Sequence, residues 1–436
     1  MKFNNGLVLI LSCALLQACS LAAKSSSSVT AIGNNTAATC KASSFSSKSF
    51  PIVGTQSAGN NIVDITVNGS KCGAAQYENE PCASVTICST SDPTNCQTID
   101  NILVDTGSYG LRVFSSLITV PLTPITSNGT NLAECVTYGD NSSQWGQIQY
   151  AYVQLGSEPK VAVPIMTINS NYASPPAACT AAESYPSTDP ASSGFNGILG
   201  VGLFSQDCGA LCSQNANVGA YYTCNGSDCS CGATVALAAQ VTNPVSALPI
   251  DNNGVIMKLG SVPASGAVSL NGSMYLGIDT QANNSSTGVA KYSADTNGEF
   301  TTQFAAFGSS YMPSFIDSGS NSYIMPSPAA SYGLTDCSVG HGSNWAGAFC
   351  AATPVSFSAI TRSADLSAST SINFTIGDYY GFSNNGSGYK VFGEVSVSSG
   401  SNKLFDWGLP FFYGRNVYVG IEGKTSMLGA GPYWAY

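Results

Sequence analysis

Histidine is nearly absent: His341, in the loop Gly340-His341-Gly342, is the single one in 436 residues. That argues against a Ser-His-Asp triad and against any His-rich metal site, and His341 reads as a surface-loop residue. Charge is scarce too. Only 9% of residues are charged and the formal net charge is −10, a balance that disfavours nucleic acid as a partner. No window carries a long helical period, so helices should be few and short. The mostly apolar run Leu7 to Leu16 is too short to span as a mature membrane helix.

That run instead reads as a targeting segment. Lys2 precedes it, and Leu16-Gln17-Ala18-Cys19 follows, with a small residue before the cut and a thiol after it to carry diacylglycerol. The pattern is that of a bacterial lipoprotein: a signal peptide over 1–18, then lipidated Cys19. Ser20 is not the aspartate that holds lipoproteins in the inner membrane, so the expectation is a lipid-anchored envelope protein on the outer membrane, on its periplasmic or surface face. Bacterial lipoproteins carry two or three acyl chains, enough for stable anchoring. Residues 19–49 are rich in Ser, Ala, Thr and Asn and read as a flexible tether.

Cysteine, by contrast, is plentiful. Of 16 residues, Cys13 and Cys19 fall in the leader region, leaving an even number; in an exported chain that predicts disulfides. The cluster Cys208, Cys212, Cys224, Cys229, Cys231 lacks paired Cys-x-x-Cys spacing, so a disulfide-stapled insertion is expected rather than a metal knuckle. Cys337 with Cys350 is a reasonable local pair.

From about residue 50 the pattern is all-β: short Val/Ile/Thr/Tyr runs alternate with Gly, Asn, Ser and Asp turns. Asn61 to Val67 is one strand, closed by the turn Asn68-Gly69. Ala83 to Cys88, the turn Asp92-Pro93-Thr94-Asn95 and the run from Ile99 to Val104 predict a hairpin whose second strand delivers Asp105.

Two stretches in this β pattern match each other. Ile102-Leu103-Val104-Asp105-Thr106-Gly107-Ser108 and Pro313-Ser314-Phe315-Ile316-Asp317-Ser318-Gly319-Ser320 each end an apolar run in Asp, a hydroxyl residue, Gly and Ser, 212 residues apart. One copy alone would be a strand ending in an Asx-type turn. Two copies, one per half, predict a paired site. Carboxyls brought side by side share one proton, so one serves as base on a water while the other serves as acid. Glycine lets the backbone turn sharply beneath the carboxylate.

On these residues the chain resembles the pepsin-like aspartic proteases. Further segments carry the resemblance in the same order: Cys135-Val136-Thr137-Tyr138-Gly139 with Trp145 to Tyr150 as a flap hairpin, Phe195 to Gly200 beside the first aspartate, Val268 to Asp279 opening the second half, and Phe405 to Phe412 beside the second aspartate. The resemblance implies an all-β, two-lobed pepsin-like β-barrel architecture with a central active-site cleft. Its expected parts are an N-terminal lobe over 50–202, a Cys-rich interlobe segment over 203–250 and a C-terminal lobe over 251–436. It implies catalytic Asp105 and Asp317, Thr106 and Ser318 tying the two loops together, Ser108 and Ser320 bonding the outer carboxylate oxygens beside Gly107 and Gly319, and Tyr138 on the flap. It implies an aspartic endopeptidase acting on peptide or protein, with no metal or cofactor.

The chain also departs from that pattern. Arg112 stands where family members often have Trp, Asp406-Trp407-Gly408 replaces two apolar residues and Gly, and Lys24, Lys41 and Lys48 do not make the basic helical pro-segment common in zymogens. The alternative is a catalytically inactive pepsin-like module with a binding or inhibitory role at the surface.

Overall fold

The structure is a computed structural model describing residues 44–74, 77–140, 142–180, 189–305, 308–400 and 404–436. The expected signal peptide, Cys19 and most of the 19–49 tether lie outside these residues. Strands dominate, and the longest α-helices among the described residues, Gly209–Gln214 and Tyr379–Asn384, have only six residues. The fold is all-β, and the reason is local. Val, Ile, Thr and Tyr crowd short runs that Gly, Asn and Ser interrupt, which suits pleated, half-buried surfaces and starves helices.

The predicted hairpin is present. Pro81–Cys88 pairs antiparallel with Cys96–Asp105. The Asp92 side chain accepts from the Thr94 backbone N–H at 3.0 Å in the turn, and a Cys88–Cys96 disulfide closes the hairpin's end. Cys96–Asp105 is partly exposed at its start and fully buried over its last five residues, so the strand dives into the core before it delivers the aspartate.

Each half then uses the same crossing. Gly197–Val201 lies parallel to Cys96–Asp105 and antiparallel to Tyr109–Phe114. In the second half Phe405–Trp407 lies parallel to Tyr311–Ile316 and antiparallel to Tyr323–Met325. In both, a later strand is threaded between the strand before the aspartate and the strand after it. Gly200 and Gly408 permit the threading: a Cβ would stand 2.5 Å from the Tyr109 backbone N and 2.0 Å from the Ser322 carbonyl oxygen.

The halves are joined by sheet as well as by chain. Leu270–Leu276 pairs with Ile62–Val67 and with Gly254–Leu259, which in turn pairs with Asn416–Gly420. The strands that open and close the expected C-terminal lobe thus sit in one closed sheet with N-terminal strands, while a second, seven-stranded sheet carries Asp317 and Asp406. The Cys-rich segment is likewise built into the first half. Tyr221–Asn225 adds to the edge of Thr130–Thr137 and hairpins with Asp228–Gly232. Cys208–Cys212 and Cys224–Cys229 staple it, so these cysteines form disulfides and no knuckle. Cys337–Cys350 is also bonded.

Candidate active site

Asp105 closes the Cys96–Asp105 strand and Asp317 directly follows Tyr311–Ile316. Both are buried, at 1% and 0% exposure, and their carboxyls lie within hydrogen-bonding reach of each other. The glycines make the approach possible. A Cβ on Gly107 would meet Asp317 Cγ at 2.5 Å, and one on Gly319 would meet Asp105 Oδ1 at 2.7 Å.

Around the pair the hydrogen bonds repeat with two-fold symmetry. The Gly107 N–H donates to Asp105 Oδ1 and the Gly319 N–H to Asp317 Oδ1, each at 2.7 Å. Ser108 Oγ donates to Asp105 Oδ2, and Ser320 Oγ contacts Asp317 Oδ2 at 2.9 Å. Beneath the carboxyls the loops grip each other. Thr106 N donates to Ser318 Oγ at 3.0 Å and Ser318 N donates to Thr106 Oγ1 at 2.9 Å. The two hydroxyls donate onward across the halves, Thr106 Oγ1 to Ile316 O at 2.8 Å and Ser318 Oγ to Val104 O at 2.7 Å.

The symmetry breaks in the electrostatics. Burial pushes the Asp105 carboxyl above its usual range, while hydrogen bonds from Asp317, Ser108 and Gly107 and the charge of Arg112 pull it back. Burial pushes Asp317 up much further, and the charges of Asp105 and Asp406 add to the push. Both carboxyls are thus held above their ordinary range, and the pair keeps a proton and titrates as a unit.

Tyr138 follows the strand Thr130–Thr137, and its N–H donates to Ser142 O across the tip of the hairpin formed with Ser143–Leu155. Its ring is buried and its hydroxyl donates to Gln144 Oε1 at 2.8 Å. Asp105, Arg112 and Glu134 all act electrostatically on it. Arg112 is fully buried. Its Nη2 donates to Glu134 Oε1 and Asp207 Oδ2, both at 2.8 Å, and its Nη1 to the Tyr109 carbonyl. Tyr221 Oη donates to Asp207 Oδ1 at 2.6 Å. One cation faces two carboxyls there, and Asp207 is pushed well above its usual range by burial and by Glu134.

Sequence reasoning missed three contributors. Tyr77 is buried, its hydroxyl lacks a hydrogen-bond partner, and Asp105 and Asp317 both act on it. Glu80 is buried beside it with no well-formed hydrogen bond at either carboxylate oxygen, and burial raises it to about 8. Asp406, seen in the sequence only as a departure, contacts Ser320 Oγ through Oδ2 at 2.6 Å. His341 is exposed and stacks on Tyr380 with ring centroids 3.5 Å apart, far from any catalytic pattern. Surface cavities of about 500 and 590 Å³ are lined by residues such as Asp64, Lys71 and Asn271, and Gln56, Ile250 and Gln281; neither cavity includes the aspartates.

Fold and site define an all-β chain whose two halves each deliver one aspartate to a shared buried pair. By comparison with known proteins, the chain belongs to the family described as "Protein of unknown function (DUF3443)", whose model matches residues 57–436. No curated protein matches it. Among solved structures, the aspartic proteinase from Irpex lacteus is similar at 15% identity and a TM-score of 0.46, over 86% of this chain and 96% of that one.

Proposed function

We propose that the chain is an aspartic endopeptidase of pepsin type. The observation that carries the reading is the two-fold bonding around Asp105 and Asp317, with hydroxyls gripped across the halves. In this reading a water held by the pair is the nucleophile. Asp105, faced by Arg112, takes its proton as it attacks the peptide carbonyl. Asp317, which keeps the shared proton, donates it toward the developing oxyanion. The substrate is a peptide or protein, admitted when the hairpin that bears Tyr138 lifts, since the pair is closed from solvent in this state.

The test is cleavage of a denatured protein across pH. A singly protonated pair predicts a bell-shaped profile on the acid side of neutral. Asp105→Asn and Asp317→Asn each leave no acid-base couple and are expected to lose at least ~10²-fold in activity with the fold intact. Full activity in either variant would end the reading. A correctly folded wild type that cleaves nothing would favour the second reading, a binding or inhibitory module, for which the buried Arg112 ion pair at the Trp position speaks.

The envelope location is part of the same proposal. Acylation at Cys19 would hold the enzyme on the membrane, and Cys19→Ala should release it or leave it unprocessed. Metabolic labelling with a fatty acid checks this, and an unlabelled wild type refutes it.

A further inference from the structure

The second half of the site holds a carboxyl with no counterpart in the first. Asp406 lies on Phe405–Trp407, opposite Phe315 on one side and Ile324 on the other. Phe405 and Trp407 pack into the main core, and the alternation of the strand turns Asp406 toward Ser320. It is 0% exposed, and its Oδ1 has no hydrogen-bond partner. At the matching place in the first half stands Ile198, opposite Leu103 on one side and Arg112 on the other, although the pairings there are otherwise alike.

The Ser320 hydroxyl stands between two acids, 2.9 Å from Asp317 Oδ2 and 2.6 Å from Asp406 Oδ2. Each of these contacts needs a hydrogen between its oxygens. The hydroxyl supplies one. The other must come from a carboxyl, so Asp317 and Asp406 cannot both be ionised while the chain of contacts stands. We propose that Asp406 is the third acid of the site, a positioning residue that shares a proton with Asp317 through the Ser320 hydroxyl. The inference rests on the peptidase reading for its catalytic meaning only; the shared proton stands on the geometry.

Two arrangements follow. In one, Asp406 Oδ2–H donates to Ser320 Oγ and the Ser320 hydroxyl donates to Asp317. In the other, Asp317 Oδ2–H donates to Ser320 Oγ and the hydroxyl donates to Asp406. Passing from the first to the second breaks the Asp406 O–H bond as Ser320 Oγ takes that proton, and breaks the Ser320 O–H bond as Asp317 takes the other. The hydroxyl is regenerated, and one negative charge moves from Asp317 to Asp406. The unpartnered Oδ1 disfavours that charge on Asp406, so the first arrangement is the resting one whenever Asp317 has given up its proton. The charged groups acting on Asp406 are Asp105 and Asp317. On the two neighbouring strands the titratable groups are Tyr311, stacked under Arg362, and Tyr323, which faces Arg415 and Glu394.

The experiment uses the full chain with ¹³C-labelled aspartate, following the Asp317 and Asp406 carboxyl resonances against pH beside the cleavage profile. Asp406→Leu removes the donor that steadies ionised Asp317 through Ser320 and should raise the Asp317 midpoint by on the order of one pH unit, carrying the alkaline limb of cleavage with it, whereas Asp406→Asn, whose amide can still donate to Ser320 Oγ, should move both less. Asp317→Asn removes the charge that keeps the proton on Asp406 and should lower the Asp406 midpoint by on the order of one pH unit. A uniform loss of activity with unmoved limb and unmoved midpoints would show a merely structural role and overturn the proposal. A wild type that cleaves nothing yet shows both midpoint shifts would sink the peptidase reading and leave the shared proton standing.

Discussion

Thr106 and Ser318 do at the residue scale what no carboxylate can do for itself. Each hydroxyl accepts a backbone N–H from the opposite loop and donates to a carbonyl in the opposite half, so the aspartates are fixed by four bonds that cross the pseudo-dyad. Ser318→Ala would leave the Thr106 N–H and the Val104 carbonyl without these partners in a dry site. The expected cost is about 1–3 kcal/mol of stability, with a larger fractional loss of cleavage because the carboxyl spacing relaxes. Urea unfolding beside kcat/KM checks this; a variant as stable and as active as the wild type would show the grip to be dispensable. These residues were legible in the sequence because their grammar is local: strand, Asp, hydroxyl, Gly, Ser. Asp406 was visible only as a misfit, since its partner Ser320 lies 86 residues away and nothing in Phe-Asp-Trp-Gly says where the carboxyl points.

Among the elements, the Thr130–Thr137 strand is held from behind by charge. Arg112 on Tyr109–Phe114 reaches Glu134 on that strand and Asp207 beyond the next crossing, so three segments meet on one guanidinium. Its contact partners stand 22 and 95 residues away in sequence, which is why the arginine could be noticed in the sequence but its role could not. Arg112→Met would strand two buried carboxyls and is expected to cost about 3–5 kcal/mol. Glu134→Gln in the same chain should restore part of that loss. Denaturation midpoints of the single and double variants test the pair, and additive losses would mean that the groups are not coupled. The hairpin ending at Asp105 was legible from its alternation and its Asp-Pro-Thr-Asn turn. The strand Tyr221–Asn225 was not: Tyr-Tyr-Thr-Cys-Asn carries little alternation, and only its pairing with Thr130–Thr137 makes it a strand.

For the molecule as a whole, the scarcity of charge has a consequence in pH. Several of its few acids are buried or half-buried and held above their usual range, and of these only Asp207 pairs with a cation. Burial raises Glu80 to about 8, and Glu158 and Glu299 to about 7; Asp207, Asp317 and Asp406 are raised as well. Asp336 and Asp365 move the other way, the latter through Ser363 and Ser367. An acid raised in the folded state keeps its proton where the unfolded chain, with ordinary values of 3.8 or 4.5, has released it. Its stabilising effect is full below those values and is lost as pH rises through the folded value. The lowered acids contribute only above the ordinary range and lose that contribution as pH falls. The raised set is larger and more buried, so stability should peak near pH 4–5 and decline toward 8, over the same side of neutral where a shared-proton pair would work. Glu80→Gln removes the acid that titrates highest among the three glutamates and should recover on the order of a few kcal/mol at pH 8, with little change at pH 4. Urea midpoints at both pH values for wild type and variant decide it: a wild type more stable at pH 8 than at pH 4, or a variant that gains equally at both, would mean that Glu80 is ionised inside the fold.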